Sequence, residues 1–452
     1  MKSQEIGGHW WLADRTDHRV AGTLTFDGDK FPELDLFEAL TEDREAAEKA
    51  IVLGLSGDAQ PVTVQVDFET DRPRRWSQHG GEIVRQRLGA KFVYMGAYLA
   101  GPADREFSRI TVSYTDLLEW TGWQGPTDTS EDAEHAIRFK EPDEIRIEVP
   151  WGTVQLRFTM AIGGDGPSKR CLSIGAGLLC VRTSPVPFDV WLDEVVGPLR
   201  DFVSLVTDRA NQVEEVTFER AEREPFGQLI YVPTTVELPQ RTGYSFEFPC
   251  TSLSLDDRLP VALCRWFELQ SVVGPALDLY FSTVYRPSMH LENRFLNVVA
   301  AAEAYHRRMV PPDAEHVERH RARLDRILSV ADKQDQGWLK WRLRYGYEPS
   351  FADRLTELAT RASSVLELWI GEASAFAGRV ADVRNLLVHQ DPGSETARPT
   401  GRDLIDLLED VGLVFLVCLY EDLGFTHAEI REMLRHTRRW QFLELRKRGW
   451  KD

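Results

Sequence analysis

Arg384, Asn385 and His389 stand in the stretch Arg-Asn-Leu-Leu-Val-His, a set of side chains able to handle a phosphodiester. A guanidinium is always charged and matches phosphate geometry, so Arg384 suits the charge that builds on a phosphorane. An imidazole changes charge near neutral pH, so His389 suits proton transfer. Asn385 is placed to orient His389 or to contact phosphate. RNA carries its own nucleophile, the 2′-OH, beside each phosphate. The expected products are a 2′,3′-cyclic phosphate, or the phosphate it hydrolyses to, and a 5′-OH. DNA lacks the nucleophile and is expected to be spared, and EDTA is expected to leave the reaction unaffected. The competing reading is structural: Arg384 pairs with a carboxylate such as Asp382 or Glu303, and His389 only caps a helix.

The element that must hold these groups reads as a helix. Phe376, Val380, Val383 and Leu387 fall on one stripe at helical pitch, which predicts packing into a core. Pro392 follows Gln390-Asp391, so the helix should end near Gln390. His389 then lies in the last turn, where free carbonyls and the helix dipole favour imidazolium by about 0.3–1 kcal/mol. Asn385 and His389, four apart, share a face. Arg384 does not: five residues of ideal helix place it about 140° from His389. Either the last turn loosens or another surface completes the site, and a second copy related by a two-fold axis would supply it.

Arg-x4-His occurs three times, as Arg74…His79, Arg384…His389 and Arg431…His436. The first lies in a charged, Pro-containing loop. The third has Glu-Met-Leu-Arg as its interior and reads as an exposed face. Only the middle pair has an apolar interior, Asn after the Arg and a helix stop after the His. Glu303-Ala-Tyr-His306 has the Glu-x-x-His spacing of di-iron bundles, but no second such motif accompanies it. Glu303 and Asp382 are therefore candidate supports for the site, and no metal or cofactor is expected. His316 and His320 share a helical face but sit among charged residues, which reads as a solvated surface.

The 452 residues exceed one core, and the net charge is −18. From Arg258 onward 28 Lys+Arg meet 28 Asp+Glu, which leaves 26 against 44 in the first 257 residues. Arg431 to Lys451 holds eight basic and two acidic residues, so Arg431, Arg435, Arg438 and Arg439 are weak candidates for RNA binding, with a solvated helix face as the alternative. Five scattered cysteines without a CxxC, no signal-peptide core and no long apolar run predict a reduced, cytoplasmic protein outside the membrane.

Residues 1–240 read as a β-rich region with sandwich-like packing. Leu24 and Phe26 alternate before an Asp27-Gly28 turn, Val62 to Phe68 alternate, and Ile145–Val149 and Val154–Met160 form a hairpin. Further strands are expected near residues 91–99, 109–114, 171–182 and 228–232, with a helix over 187–210. A Pro/Ser/Thr/Gly-rich linker is read at about 239–257. Residues 258–452 then switch to helical period, enough for roughly seven to nine helices. Capping boxes at Ser350…Asp353, Thr400…Asp403 and Thr426…Glu429 mark starts. The fold class is α+β, a β-rich region followed by an all-α bundle.

Arg384-Asn385-x3-His389 resembles the Arg-polar-x3–5-His signature of HEPN domains. Leu291 to His306 looks like the long first helices of the ApeA-type branch. Gly8-His-Trp-Trp-Leu-Ala-Asp with Gly22-Thr-Leu-Thr-Phe26 is similar to the N-terminal domain that accompanies that branch. The resemblance implies a HEPN helical nuclease domain over 258–452, a sensing or regulatory domain over 1–240, and a metal-independent endoribonuclease used in abortive infection against phage. It implies a site formed where two such domains meet, hence a homodimer or higher oligomer, an RNA substrate with tRNA as a candidate, and a phage-derived trigger. The other function class is a catalytically silent HEPN-like scaffold or a nucleotide- or RNA-binding module. The RNA target, the trigger and the oligomer's size are not written in these motifs.

Overall fold

The computed structural model describes residues 4–26, 30–76, 82–125, 127–131, 134–138, 144–163, 171–221, 224–230, 236–238, 243–389, 399 and 401–447. Two compact units divide the chain: Met1–Ser245 with Cys250–Pro260, and Phe246–Pro249 with Val261–Asp452.

The first unit begins with antiparallel strands β1 (Gln4–Leu12), β2 (Val20–Phe26) and β3 (Glu33–Leu36). A one-turn helix α1 (Arg44–Ala47), capped by the Asp43 carboxylate, leads to β4 (Ile51–Ser56) and β5 (Pro61–Asp71). β6 (Arg74–Trp76) and β7 (Glu82–Val84) form a separate hairpin, and β8 (Gln86–Met95) follows. The order β8-β3-β2-β1-β4-β5 closes on itself because β5 also pairs with β8. Where sandwich-like packing was expected, six of the strands therefore make a barrel. Register shifts along β5 against β8, between Gln65 and Val66 and again beyond Val66, bend the ladder enough to close it. Trp10, Leu24, Leu34, Leu36, Val52, Val62, Val64 and Leu88 fill the interior.

Trp10 sets the barrel's tightest contact. It stands opposite Gly54, and its Nε1–H donates to the Gly22 carbonyl at 3.1 Å. A Cβ on Gly54 would lie 2.2 Å from Trp10 Cε3, so the strand needs a glycine for close approach. Gly54→Ala should cost about 1–3 kcal/mol through overpacking, read as a lower urea midpoint with unchanged slope. An unchanged midpoint would mean that Trp10 can move aside freely.

β8 belongs to two structures. Its first residues pair with β3, and Val93–Met95 on the same edge pair with a later strand. The second sheet comprises β9 (Glu106–Tyr114), β12 (Ile145–Val149), β13 (Gly152–Gly163), β14 (Cys171–Pro187), β15 (Val213–Ala221) and β16 (Glu224–Ile230), ordered β12-β13-β14-β9-β15-β16 and joined to β8. Between β9 and β12 come α2 (Leu117–Trp120) and a hairpin, β10 (Thr127–Glu131) with β11 (Glu134–Arg138). The expected helix between β14 and β15 is α3 (Phe188–Trp191), a π turn at Leu192–Val196, and α4 (Gly197–Thr207). Trp191 Nε1–H donates to the Phe107 carbonyl at 2.9 Å, and the Tyr114 hydroxyl to the Val196 carbonyl at 2.8 Å, tying this helix to β9.

Strands β1, β3, β4, β6, β7, β10, β11 and β15 fall outside the stretches expected to be strands. The Asp27-Gly28 turn and residues 231–232 lie outside the described residues. The expected linker is partly built: Ser245–Glu247 makes a 3-10 turn, and α5 (Ser252–Leu255) carries a capping box between Thr251 and Ser254. Burial pushes the Cys250 thiol up to about 12, which leaves it unreactive at neutral pH.

Among the described residues from Val261 on, every element of the second unit is a helix: α6 (Arg258–Tyr285, whose first residues belong to the first unit), α7 (Leu291–Met309), α8 (Ala314–Val330), α9 (Lys333–Leu343), α10 (Phe351–Ile370), α11 (Ala373–His389), α12 (Gly401–Asp422), α13 (His427–Arg435) and α14 (Arg438–Lys447). The capping boxes at Ser350 and Thr426 form reciprocally, while Thr400 lies outside the described residues. α12 is buried all round from Asp410 to Tyr420, as a central helix must be. Phe415 stacks on Tyr280 at 4.8 Å and meets Tyr305 edge-on at 5.3 Å. The Tyr305 hydroxyl donates to Asp422, whose other oxygen accepts from Arg361 at 2.9 Å. Burial, with that carboxylate beside it, pushes the Tyr305 hydroxyl well above its ordinary range. Among the described residues no helix is long and apolar enough to cross a membrane.

Candidate active site

α11 begins with its apolar stripe buried. Phe376, Ala377 and Val380 are inaccessible, as the spacing predicts. The stripe then thins: Val383 and Leu387 are half-buried and Val388 is exposed. The end of the helix that carries the candidate residues thus leaves the core, which makes it available to a substrate or to a second copy. The backbone stays helical through His389, so a loosened last turn does not resolve the angle between Arg384 and His389. His389 closes the helix; its side chain, and residues 390–393, lie outside the described residues.

Arg384 keeps 34 % of its side-chain surface exposed. Its guanidinium carbon sits 5.7 Å from the Phe351 ring centroid, its Nη1 donates to Asn385 Oδ1 at 3.2 Å, and its Nη2 lies 4.0 Å from Glu303 Oε2. Of the two carboxylates proposed as its partner or support, Glu303 is the one in range, and Asp382 stands exposed on the same helix. An ion pair at 4.0 Å and partly in water holds Arg384 loosely, so phosphate oxygens can compete for it.

Behind Glu303 runs a chain of charged contacts. Glu303 accepts from Arg307 at 3.3 Å, Arg307 lies 3.2 Å from Glu348, and Glu348 accepts from Arg354 at 3.1 Å. Arg354, only 2 % exposed, also donates from Nη1 to His306 Nδ1 at 3.2 Å. An arginine can only donate, so His306 Nδ1 must accept and its Nε2 carries the proton. That N–H donates to Glu357 Oε2 at 2.7 Å. His306 is thus a buried link between α7 and α10. The Glu-x-x-His pair here serves a hydrogen-bonded network, and among the described residues no three His, Cys, Asp or Glu side chains converge on a metal position. The Glu303/Arg307 pair is visible as an i,i+4 spacing. Arg354 and Glu348 give no such signal, because they meet His306 and Arg307 only through the tertiary fold.

The other candidates are placed elsewhere. Arg431 donates to the Ser364 carbonyl, Arg435 pairs with Glu432 at 3.3 Å, Arg438 with Glu247 at 3.4 Å, and Arg439 with Glu409 at 3.4 Å. These four arginines each have a local partner, while the side chains of Arg446 and Lys447 and residues 448–452 lie outside the described residues. His436 sits 3.6 Å from Glu432 and is exposed. Where a loop was expected, Arg74 lies on β6, and its side chain and all of His79 lie outside the described residues. His320 turns its Nε2 to the Leu343 carbonyl at 2.8 Å, while His316 is exposed.

The family model described as ApeA N-terminal domain 1 matches residues 5–264, and the one described as Apea-like HEPN matches residues 296–429. The second span holds Glu303, Arg384, Asn385 and His389 and stops short of Arg431. No curated protein and no solved structure matches the chain. The barrel and sheet, and the α7–α13 bundle, are each covered by a model of the same branch, and the chain belongs to the ApeA-type HEPN family.

Proposed function

We propose that the chain is a metal-independent endoribonuclease of abortive-infection defence against phage, with tRNA as a candidate substrate. The 2′-OH attacks the adjacent phosphorus, and the 5′-oxygen leaves. His389 moves the proton, Arg384 neutralises the phosphorane, and Asn385 and Glu303 hold Arg384 in place. The observation that carries this reading is the setting of Arg384: half-exposed, loosely paired, at the emerging end of α11, and inside the span matched by the HEPN model. The angle between Arg384 and His389 on one helix supports a site completed by a second copy, so the active species is a homodimer or larger and works in the cytoplasm. The acidic β-rich unit senses the trigger and restrains access of RNA.

Purified protein incubated with labelled tRNA in EDTA, with and without phage-derived triggers, tests this. Fragments ending in 2′,3′-cyclic phosphate and 5′-OH are expected. Fragments with 3′-OH ends, or a reaction stopped by EDTA, would overturn the mechanism. RNA bound without cleavage under every trigger would favour the silent binding module.

A further inference from the structure

α8 and α9 bury no residue, although they lie within the helical unit. They hold each other through His320, bonded to the Leu343 carbonyl, and Gln336, whose amide donates to the Leu328 carbonyl at 2.9 Å. The large side chains on α9 and the turn after it face water: Trp338 is 61 % exposed, Trp341 70 % and Tyr345 56 %. Positions 338, 341 and 345 recur at helical spacing, and Arg344 continues the helical backbone, so the three rings share one face. Three exposed aromatic rings on one face of an arm without a core are not explained by folding.

The charges that follow Trp338 have one sign, whereas Asp335, one turn before it, places a carboxylate at the start of the helix. Lys340, Arg342 and Arg344 alternate with the rings, and no acidic residue occurs from Gln336 to Tyr347. Among the described residues no carboxylate pairs with these three. Arg342 already lies against Trp341, its Cζ 5.5 Å from the ring centroid, and Arg344 lies 5.0 Å from that of Tyr345. In a chain of net charge −18 this is a cationic, aromatic strip. Its base is tied to the candidate active site: Glu348, three residues past Tyr345, belongs to the chain of contacts through Arg307 and Glu303 to Arg384, and Phe351 supports the Arg384 guanidinium.

We propose that the α9 face is a docking strip for unpaired RNA. Trp338, Trp341 and Tyr345 stack on successive bases, while Arg342 and Arg344, which lie against the rings, take the phosphates, and Lys340, on the far side of the helix, adds only to the local field. Stacking on a π face needs no particular base, and it needs bases free of a duplex, so the strip accepts single-stranded loops of any sequence. α9 spans about 16 Å at 1.5 Å per residue, so a strand held along it reaches the arm's base, where the network to Arg384 begins. The inference rests on the reading that the chain acts on RNA, and it assigns how the substrate is held.

The test uses the full chain and a fluorescein-labelled single-stranded 2′-O-methyl oligonucleotide, whose blocked nucleophile makes binding independent of cleavage. Trp341→Ala and Trp338→Ala should each weaken binding by at least about fivefold, with unchanged circular dichroism because both side chains are exposed. Replacing Arg342 and Arg344 together by Glu should flatten the dependence of log affinity on log salt by about 1.4, at about 0.7 per phosphate contact. Wild-type protein that binds no strand, ring variants that bind normally, or a duplex bound as well as the single strand would each overturn the proposal. So would ring variants that change the light-scattering mass and leave RNA binding alone, since the face would then join copies of this chain. Normal binding by the ring variants, with cleavage still lost on substituting Arg384, would sink the docking strip and leave the nuclease standing. Ring-dependent binding without cleavage under any trigger would do the reverse.

Discussion

Arg384→Ala and His389→Ala should each lower the rate of RNA cleavage by at least about a hundredfold while leaving the fold intact. The size follows from the two roles. Removing a positioned charge from a developing oxyanion costs about 10²–10³ in rate, and removing a general acid or base about 10²–10⁴. Stability should not follow, because the ion pair of Arg384 with Glu303 spans 4.0 Å and is partly in water. Arg384→Lys separates charge from geometry: it keeps the cation and loses the planar fork, so it should recover only part of the activity. The comparison should be made with activated protein, by initial rates on labelled RNA beside melting curves. Either Ala variant cutting at the wild-type rate would remove the catalytic assignment. Lost activity with a lowered melting temperature would return Arg384 to a structural role.

The second large effect falls behind the site. Arg354→Met should destabilise the helical unit by about 3 kcal/mol, at the lower end for breaking a buried ionic contact, because Glu348 retains some exposure. Methionine keeps the bulk and removes both donors. The His306 Nδ1 acceptor, buried and served by Arg354, then has no partner, and Glu348 keeps only Arg307. For a unit of this size the change corresponds to a drop of about 6–12 °C in its melting temperature. Activity should fall as well at temperatures where the fold survives, since Glu348 anchors Arg307 and Arg307 anchors Glu303 beside Arg384. An unchanged melting temperature would show that the network has no net effect on folding.

The outcomes follow a physical divide between local and non-local order. Helical stripes were legible, such as the start of α11 through Phe376 and Val380, because 3.6-residue periodicity is written within one segment. Ser350 and Thr426 were legible as helix starts, since a capping box closes over four residues. β1 escaped because Gly7 and Gly8 interrupt its alternation. β15 escaped because Glu214, Glu215 and Glu219 make it read as charged, yet Glu219 is buried and accepts from Arg157 at 3.0 Å and Thr111 at 2.9 Å.

By itself the amino-acid order determined the β-then-α division, the acidic first half, and the Arg384, Asn385 and His389 set on one helix near its end. Each is a property of composition or of a repeat a few residues long, so it survives without knowing what packs on what. Only the tertiary structure decided that the strands close into a barrel through β5 and β8. It alone placed Glu303 rather than Asp382 beside Arg384, bound Arg354 to His306, and left the α9 aromatics in water. Those outcomes turn on pairings between residues tens of positions apart, and the free energy that selects them comes from burial and hydrogen bonding across the assembled core rather than from any local preference.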